Sequence, residues 1–307
     1  MEVDNISVLW IFPGQGGQRS GMLKDVPKSM LEKVKNLTGV ELTDDEQAYQ
    51  DSIQIQLGIL ILQLFNIRQL KKINQTPDVV AGHSLGIFAA AVASGVISED
   101  DAIKIVYIRS QKMQESYPTG YGMGAIVGLT RKEVNNLVDQ VNNEDQPVFT
   151  SNQNSELQTV VSGSIKGIKQ VLSLAKNNNA QKTVLLKVPV PSHSPLMQSV
   201  ADVLEKELAD VSLNDPQCTY LANYNGHAIR KVDGVKYDMI NNLVHPVYWD
   251  TMMDVAKELG VDTALEIKPG QTFTKLVKSK FPDFRTITMN NMNLDDIQFL
   301  LEKWKRG

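Results

Sequence analysis

The pentapeptide Gly82-His83-Ser84-Leu85-Gly86 lies directly between an apolar run, Val79-Val80-Ala81, and a helix-forming run, Phe88-Ala89-Ala90-Ala91-Val92-Ala93. A chain that leaves a short buried strand, turns within a few residues and enters a helix is building a crossover of a parallel sheet. The two glycines allow the tight turn, and a serine at its apex presents Oγ beyond the strand end, which is the setting of a nucleophile elbow. The pentapeptide alone is weak: with Gly and Ser each near 7% usage, a chain this long shows one by chance about once in ten. Its strand and helix flanks carry the weight.

The neighbouring segments extend the same pattern. Residues 8–12 form a buried strand running into the loop Pro13-Gly14-Gln15-Gly16-Gly17-Gln18, and residues 53–73 are rich enough in Leu and Ile for a long, mostly buried helix. Ser98-x-x-Asp101 resembles a capping box and opens another helix, which ends near Tyr117-Pro118-Thr119-Gly120. The punctuation Pro118-Thr119-Gly120-Tyr121-Gly122 reads as a hinge. Beyond it come a strand over 123–129, a helix capped by Thr130-x-x-Glu133 and reaching 141, strands over 147–151 and 157–162, a helix over 165–175 and a strand over 183–188. That β-α-β-β-α-β order is ferredoxin-like. The expected organisation is an α/β-hydrolase-like catalytic domain with a parallel sheet, made of residues 1–122 and 189–307, carrying an inserted ferredoxin-like subdomain at 123–188. A strand over 263–267 and a basic amphipathic stretch over 273–280 belong to the larger part.

Composition removes several function classes. The 307 residues are 42% hydrophobic and 21% charged, enough to bury a sizeable core, and the net charge of −4 gives no basic footprint for nucleic acid. No uninterrupted apolar run approaches membrane-spanning length. Acidic residues in Met1-Glu2-Val3-Asp4-Asn5 stand where a signal peptide carries basic ones, and a single cysteine, Cys218, fits a reducing compartment, so a cytoplasmic protein without nucleic-acid or membrane partners is expected. Cys218 reads as a small core residue rather than a catalytic thiol.

A serine becomes a nucleophile only when a base takes its proton. Of four histidines, His83 adjoins the serine and is aimed elsewhere by the turn, His227 sits in the turn Asn225-Gly226-His227, and His245 precedes Pro246. His193, in Val190-Pro191-Ser192-His193-Ser194-Pro195, falls between a strand end and a helix start, where catalytic loops of α/β sheets gather. Spacing leaves two readings open for it, the base or a loop histidine with satisfied hydrogen bonds. Arg109 shares one helix face with Ala102, Ile105, Val106 and Met113. It reads either as a structural salt bridge or snorkelling guanidinium, or as a fork that grips a substrate carboxylate bidentately.

These segments, with Gly122 to Gly128 and His245-Pro246-Val247-Tyr248-Trp249, occur in an order and spacing similar to the malonyl-CoA:acyl carrier protein transacylases, over nearly the whole chain. In detailed wording, Arg19-x-Gly21-Met22-Leu23, Ile87-Phe88 and Tyr117 to Met123 resemble the epsilon subunit of malonate decarboxylase more than the fatty-acid-synthesis enzyme. The resemblance implies Ser84 as nucleophile and His193 as base, with the backbone N–H groups of Gln15 and Leu85 as oxyanion hole. It further implies Arg109 on the malonyl carboxylate with Gln56 nearby, Asn154 lining the cleft, and the backbone carbonyl of Asn242 orienting the histidine. No cofactor or metal is implied; the partners are malonyl-CoA, an acyl carrier protein with a phosphopantetheine-type thiol, and other malonate decarboxylase subunits. Fatty-acid or polyketide synthesis is the alternative pathway, and a thioesterase or other serine hydrolase the alternative chemistry. Departures from the common family wording, Ile87 after the elbow, Lys268 before Pro269-Gly270 and His245 before Pro246, bear on subfamily. Lys275, Lys278 and Lys280 offer either a docking patch for an acidic carrier or a solvated face.

Overall fold

The structure is a computed structural model describing residues 6–117 and 119–305; the N-terminal pentapeptide and Pro118 of the expected hinge lie outside the described residues. In chain order the first part comprises β1 (Val8–Phe12), α1 (Lys28–Thr38), α2 (Ser52–Lys72), β2 (Val79–Gly82), α3 (Gly86–Ala93) and α4 (Glu99–Ser116). The inserted part comprises β3 (Tyr121–Val127), α5 (Arg131–Val141), β4 (Val148–Ser155), β5 (Gln158–Ser164), α6 (Ile165–Asn177) and β6 (Lys182–Leu185). The chain returns through α7 (Gln198–Glu207), β7 (Thr219–Leu221), β8 (Ala228–Ile229), α8 (Val232–Asn241), α9 (Trp249–Glu258), β9 (Thr263–Glu266), α10 (Thr272–Lys280), β10 (Arg285–Thr288) and α11 (Leu294–Lys305).

The large sheet has the order β10-β9-β1-β2-β7-β8, parallel throughout except for β8 at one edge. Every residue of β1, β2 and β9 is buried, which is why these strands read as continuous apolar runs rather than alternating ones. Helix α2 is long and apolar enough to cross a bilayer by length and composition, yet it packs inside the core of the large part. Its start is fixed by Asp51, whose carboxylate accepts from the Ile53 and Gln54 N–H groups.

The second sheet has the order β4-β5-β3-β6, wholly antiparallel, with α5 and α6 sharing its own apolar core of residues such as Val134, Val161 and Ile168. This is the ferredoxin-like order expected from the element sequence. Thr130 and Glu133 form the full reciprocal capping box of α5. At Ser98 the box is incomplete: Ser98 accepts from the Asp101 N–H, and the Asp101 carboxylate takes the Ser98 hydroxyl. Strand β4 runs to Ser155, beyond the expected 151, because its polar end Asn152-Gln153-Asn154-Ser155 pairs through two register shifts with β5. It also meets the large part, where Gln153 N–H donates to Val247 O and Val247 N–H donates to Ser151 O, both at 2.8 Å. Strand β6 stops at Leu185, short of 188, and the chain then crosses back toward the large sheet.

Candidate active site

The elbow explains its own glycines. A Cβ on Gly82 would stand 2.2 Å from the Ile87 nitrogen and one on Gly86 1.9 Å from the Phe12 carbonyl oxygen, so α3 can approach β1 and β2 only without side chains there. The strain falls on the serine: Ser84 has φ +53°, a left-handed conformation that costs a non-glycine residue about 1 kcal/mol or more. His193 shares this rare conformation with φ +62°.

Ser84 Oγ and His193 Nε2 are 2.8 Å apart, and His193 Nδ1 is 2.8 Å from the Asn242 carbonyl oxygen. That carbonyl can only accept, so Nδ1 carries the proton and Nε2 is left to receive the serine's. Burial of the imidazole pulls its pKa down to about 3, only partly opposed by the Asn242 carbonyl, so the ring is neutral at physiological pH. Of the two open readings for His193, a loop histidine satisfied by loop contacts alone does not describe it: the ring spans the Ser84 hydroxyl and the Asn242 carbonyl. As expected, His193 lies between the end of β6 and the start of α7; its segment, returning from the small sheet, is tied to the end of α8, with Ser194 N–H donating to Leu243 O at 3.0 Å.

Arg109 is 1% exposed, and among the described residues no acidic group pairs with it, which removes both the salt-bridge and the snorkelling readings. Its Nη1 donates to Gln56 Oε1 and its Nη2 to Ser84 Oγ at 3.3 Å. The Gln56 amide is oriented by its own donation to Ser52 Oγ at 3.0 Å, so its oxygen faces the guanidinium. Arg109 Nε is buried without a partner. Desolvation lowers the guanidinium pKa, yet it remains cationic at pH 7. A buried cation without a counter-ion, hydrogen-bonded to the elbow serine, is electrostatically suited to an anion.

The cleft in front of this pair has a volume of about 270 Å³ and is lined by Ser84, His193, the glycine-rich loop at 14–17, Asn152, Asn154 and, from α10, Phe273 and Leu276. Gln15 lies on its rim and Leu85 at the start of α3, and among the described residues neither N–H has a backbone acceptor. Asn154 reaches the cleft from β4, with Oδ1 3.2 Å from His83 Nε2. His83 turns away from the serine, as expected, onto Phe273 and Trp249, and burial lowers its pKa to about 4. His227 and His245 do not line the cleft. Cys218 is partly buried against the core, and burial together with the charge of Asp78 pushes its thiol up to about 12. Among the described residues no cluster of His, Cys, Asp or Glu could hold a metal ion.

The three lysines of α10 are not equivalent. Lys280 is bound to Asp250 at 2.7 Å and Asp254 at 2.8 Å, and Lys278 donates to the Pro282 and Phe284 carbonyls; both fasten α10 to the fold. Among the described residues, Lys275 alone of the three is without such ties. Sequence reasoning also missed three buried side chains around the cleft: Asn223, which accepts from the Ser84 N–H; Gln63, which holds the Pro13 carbonyl at 2.7 Å; and Glu266, which accepts from the Thr274 N–H at 2.7 Å. Asn223 sits in Asn223-Tyr224-Asn225-Gly226, which signals only a turn; Gln63 carries no local motif; and Glu266 heads Glu266-Ile267-Lys268-Pro269-Gly270, wording that bears on subfamily and gave the side chain no role.

Fold and cleft together define an α/β protein with an elbow serine bonded to a buried histidine and a buried arginine. The model of the acyl transferase domain family matches residues 9–295, and the chain belongs to that family. Among curated relatives, the malonyl CoA-acyl carrier protein transacylases of Bacillus subtilis and Haemophilus influenzae are each 30% identical over 296 residues, covering 92% of this chain and 93% and 95% of theirs. The solved malonyl CoA-acyl carrier protein transacylase of Coxiella burnetii superposes with a TM-score of 0.92 at 27% identity, each chain covered completely. A malonyl-transacylase solved in complex with its type II PKS acyl-carrier protein superposes with a TM-score of 0.89 at 28% identity, over 97% of this chain and 99% of that one. The family resemblance carried by the motifs is thereby borne out.

Proposed function

We propose that this protein transfers a malonyl group from malonyl-CoA to the thiol of an acyl carrier protein through an ester on Ser84. The observation that carries the reading is Arg109, a buried, unpaired guanidinium 3.3 Å from the hydroxyl of a serine already bonded to a neutral imidazole. Ser84 Oγ attacks the thioester carbonyl while His193 Nε2 takes its proton. As the C–S bond breaks, His193 returns that proton to the departing CoA sulfur. In the second half the carrier thiol attacks the ester, His193 accepts the thiol proton, and Ser84 leaves with it. The N–H groups of Gln15 and Leu85 receive the oxyanion of each tetrahedral intermediate, each such donor contributing about 3 kcal/mol of transition-state stabilisation. One thioester replaces another, so the exchange consumes no cofactor. The malonyl carboxylate would take the guanidinium contact that Ser84 holds in the free enzyme.

For the pathway, the transacylases of Bacillus subtilis and Haemophilus influenzae and the relative that binds a type II PKS acyl-carrier protein favour supply of malonyl units to fatty-acid or polyketide synthesis. The wording at Arg19 to Leu23, Ile87-Phe88 and Tyr117 to Met123 favours the epsilon subunit of malonate decarboxylase instead. Initial rates with both substrates varied test the chemistry: parallel reciprocal plots are expected for ping-pong transfer. Release of CoA at the same rate with and without carrier protein would make the protein a hydrolase. Comparing carriers from a fatty-acid synthase and a malonate decarboxylase as acceptors separates the two pathways.

A further inference from the structure

Asn223 follows β7 and is completely buried. Its Oδ1 accepts from the Ser84 N–H at 2.9 Å and from Asn242 Nδ2 at 3.0 Å, while its Nδ2 donates to the Gly82 carbonyl at 2.6 Å and faces Met252 Sδ at 3.8 Å. The backbone around it is equally committed: its N–H donates to the Asp238 carboxylate, which also takes the Tyr220 hydroxyl at 2.8 Å, and its carbonyl accepts from Tyr248 N–H at 2.9 Å. One amide therefore bonds both ends of the strained elbow and the residue whose carbonyl holds the base. Apart from the Ser84–His193–Asn242 chain itself, this amide is a side chain that bonds both segments directly, although Ser84 belongs to the β2–α3 turn and Asn242 to the end of α8, 158 positions later in the chain.

We infer that Asn223 is a positioning residue that sets the Ser84–His193 geometry, acting through the Ser84 amide on one side and the Asn242 side chain on the other. The inference rests on the serine mechanism proposed above and touches neither substrate nor reacting atoms. Only an amide meets the demand, because the position needs an acceptor for two N–H donors and a donor for the Gly82 carbonyl. An isosteric carboxylate keeps the shape and the acceptor but sets an oxygen against that carbonyl, so Asn223→Asp perturbs the node with little change in volume.

The test is the rate at which a fluorophosphonate labels Ser84, a reaction that needs the activated serine but no malonyl recognition. In Asn223→Asp, labelling and malonyl-CoA acylation should both fall about 100-fold, the effect of displacing a reacting group by about 1 Å. Malonyl-CoA affinity, measured by calorimetry in the Ser84→Ala background, should stay within about twofold with and without Asn223→Asp, since Arg109 is untouched. Asn242→Ala, which keeps the backbone carbonyl but removes the link to Asn223, should lower labelling too, and the double variant should fall no further than Asn223→Asp alone. Undiminished labelling in folded Asn223→Asp, or affinity falling in step with labelling, would overturn the inference. If Asn223→Asp does not fold, Asn242→Ala decides, and unchanged labelling there overturns it. Wild-type protein that is labelled but not malonylated would sink the proposed function and leave the role of Asn223 standing; wild type that is not labelled at all would overturn both.

Discussion

At the scale of single residues, the chemistry depends on charges kept out of water. Among the described residues Arg109 is hydrogen-bonded by Gln56 and Ser84 alone, so under the proposed function a donor without a distal carboxylate leaves the guanidinium unmatched. That loss is about 1 to 3 kcal/mol, roughly 5- to 150-fold in rate against acetyl-CoA. Arg109→Lys should lower malonyl uptake about 10- to 100-fold and collapse the preference over acetyl, because an ammonium cannot make the paired contact; competing the two donors in one reaction reads this out. The base gives a second expectation. With the His193 pKa drawn down to about 3 by burial, the acylation rate should stay level from pH 8 to pH 5, with no fall near 6.5, where an ordinary histidine titrates. Stability should move the other way. Between pH 6.5 and about 4 the unfolded chain protonates His83 and His193 while the folded one does not, so the unfolded state binds more protons and the melting temperature should drop as the pH is lowered through that window. Asp238, raised to about 6 by burial, and Glu266, also raised by burial, work against this in the acid part of the window, while His245, lowered by burial, adds to it. Ser84 was legible because the elbow is a local pattern. His193 and Arg109 stood out locally, one by its loop and the other by its helix face, but each with two readings open because their meeting is made by the fold; Asn242 came only from resemblance, and Asn223 was invisible because Asn223-Tyr224-Asn225-Gly226 signals a turn whether or not the first amide is buried.

At the scale of elements, the elbow is a packing solution before it is a catalytic one. Helix α3 is buried along its whole length and reaches β1 and β2 through the bare backbone of Gly82 and Gly86. Gly86→Ala drives a methyl into the Phe12 carbonyl, a rigid main-chain atom, and should cost about 3 kcal/mol or more, seen as a large drop in melting temperature or loss of soluble protein. A Gly39→Ala control, with open space around it, should lose far less, limited to the strain of its positive φ. Most elements could be read from the sequence because their signals are local: Asp51 and Thr130 cap helices, and buried parallel strands are apolar runs. The ends of β4 and β6 could not. The polar tail of β4 is strand because β5 and Val247 supply its hydrogen bonds, and the apolar tail of β6 leaves the sheet to line the cleft with Leu186 and Val188.

At the scale of the whole molecule, the site exists only where the two sheets meet. The large part supplies Ser84, the glycine-rich loop and, behind the serine, Arg109, and β4 of the small part supplies Asn152 and Asn154. The two are joined by the β4–Val247 hydrogen bonds and by Arg131, which donates to Gln153 at 3.1 Å and to the Tyr248 hydroxyl at 2.8 Å. The division into two sheets was legible from the order of elements; the clamp between them was not, since no local pattern announces which loop a strand edge will meet. The central claim is that Ser84 carries the acyl group and Arg109 chooses it, and intact-protein mass spectrometry after mixing with malonyl-CoA or acetyl-CoA tests both at once. A malonyl adduct on wild type, absent in Ser84→Ala and lost or replaced by acetyl in Arg109→Ala, is the predicted result; an adduct that survives Ser84→Ala, or equal malonyl uptake in Arg109→Ala, would contradict it.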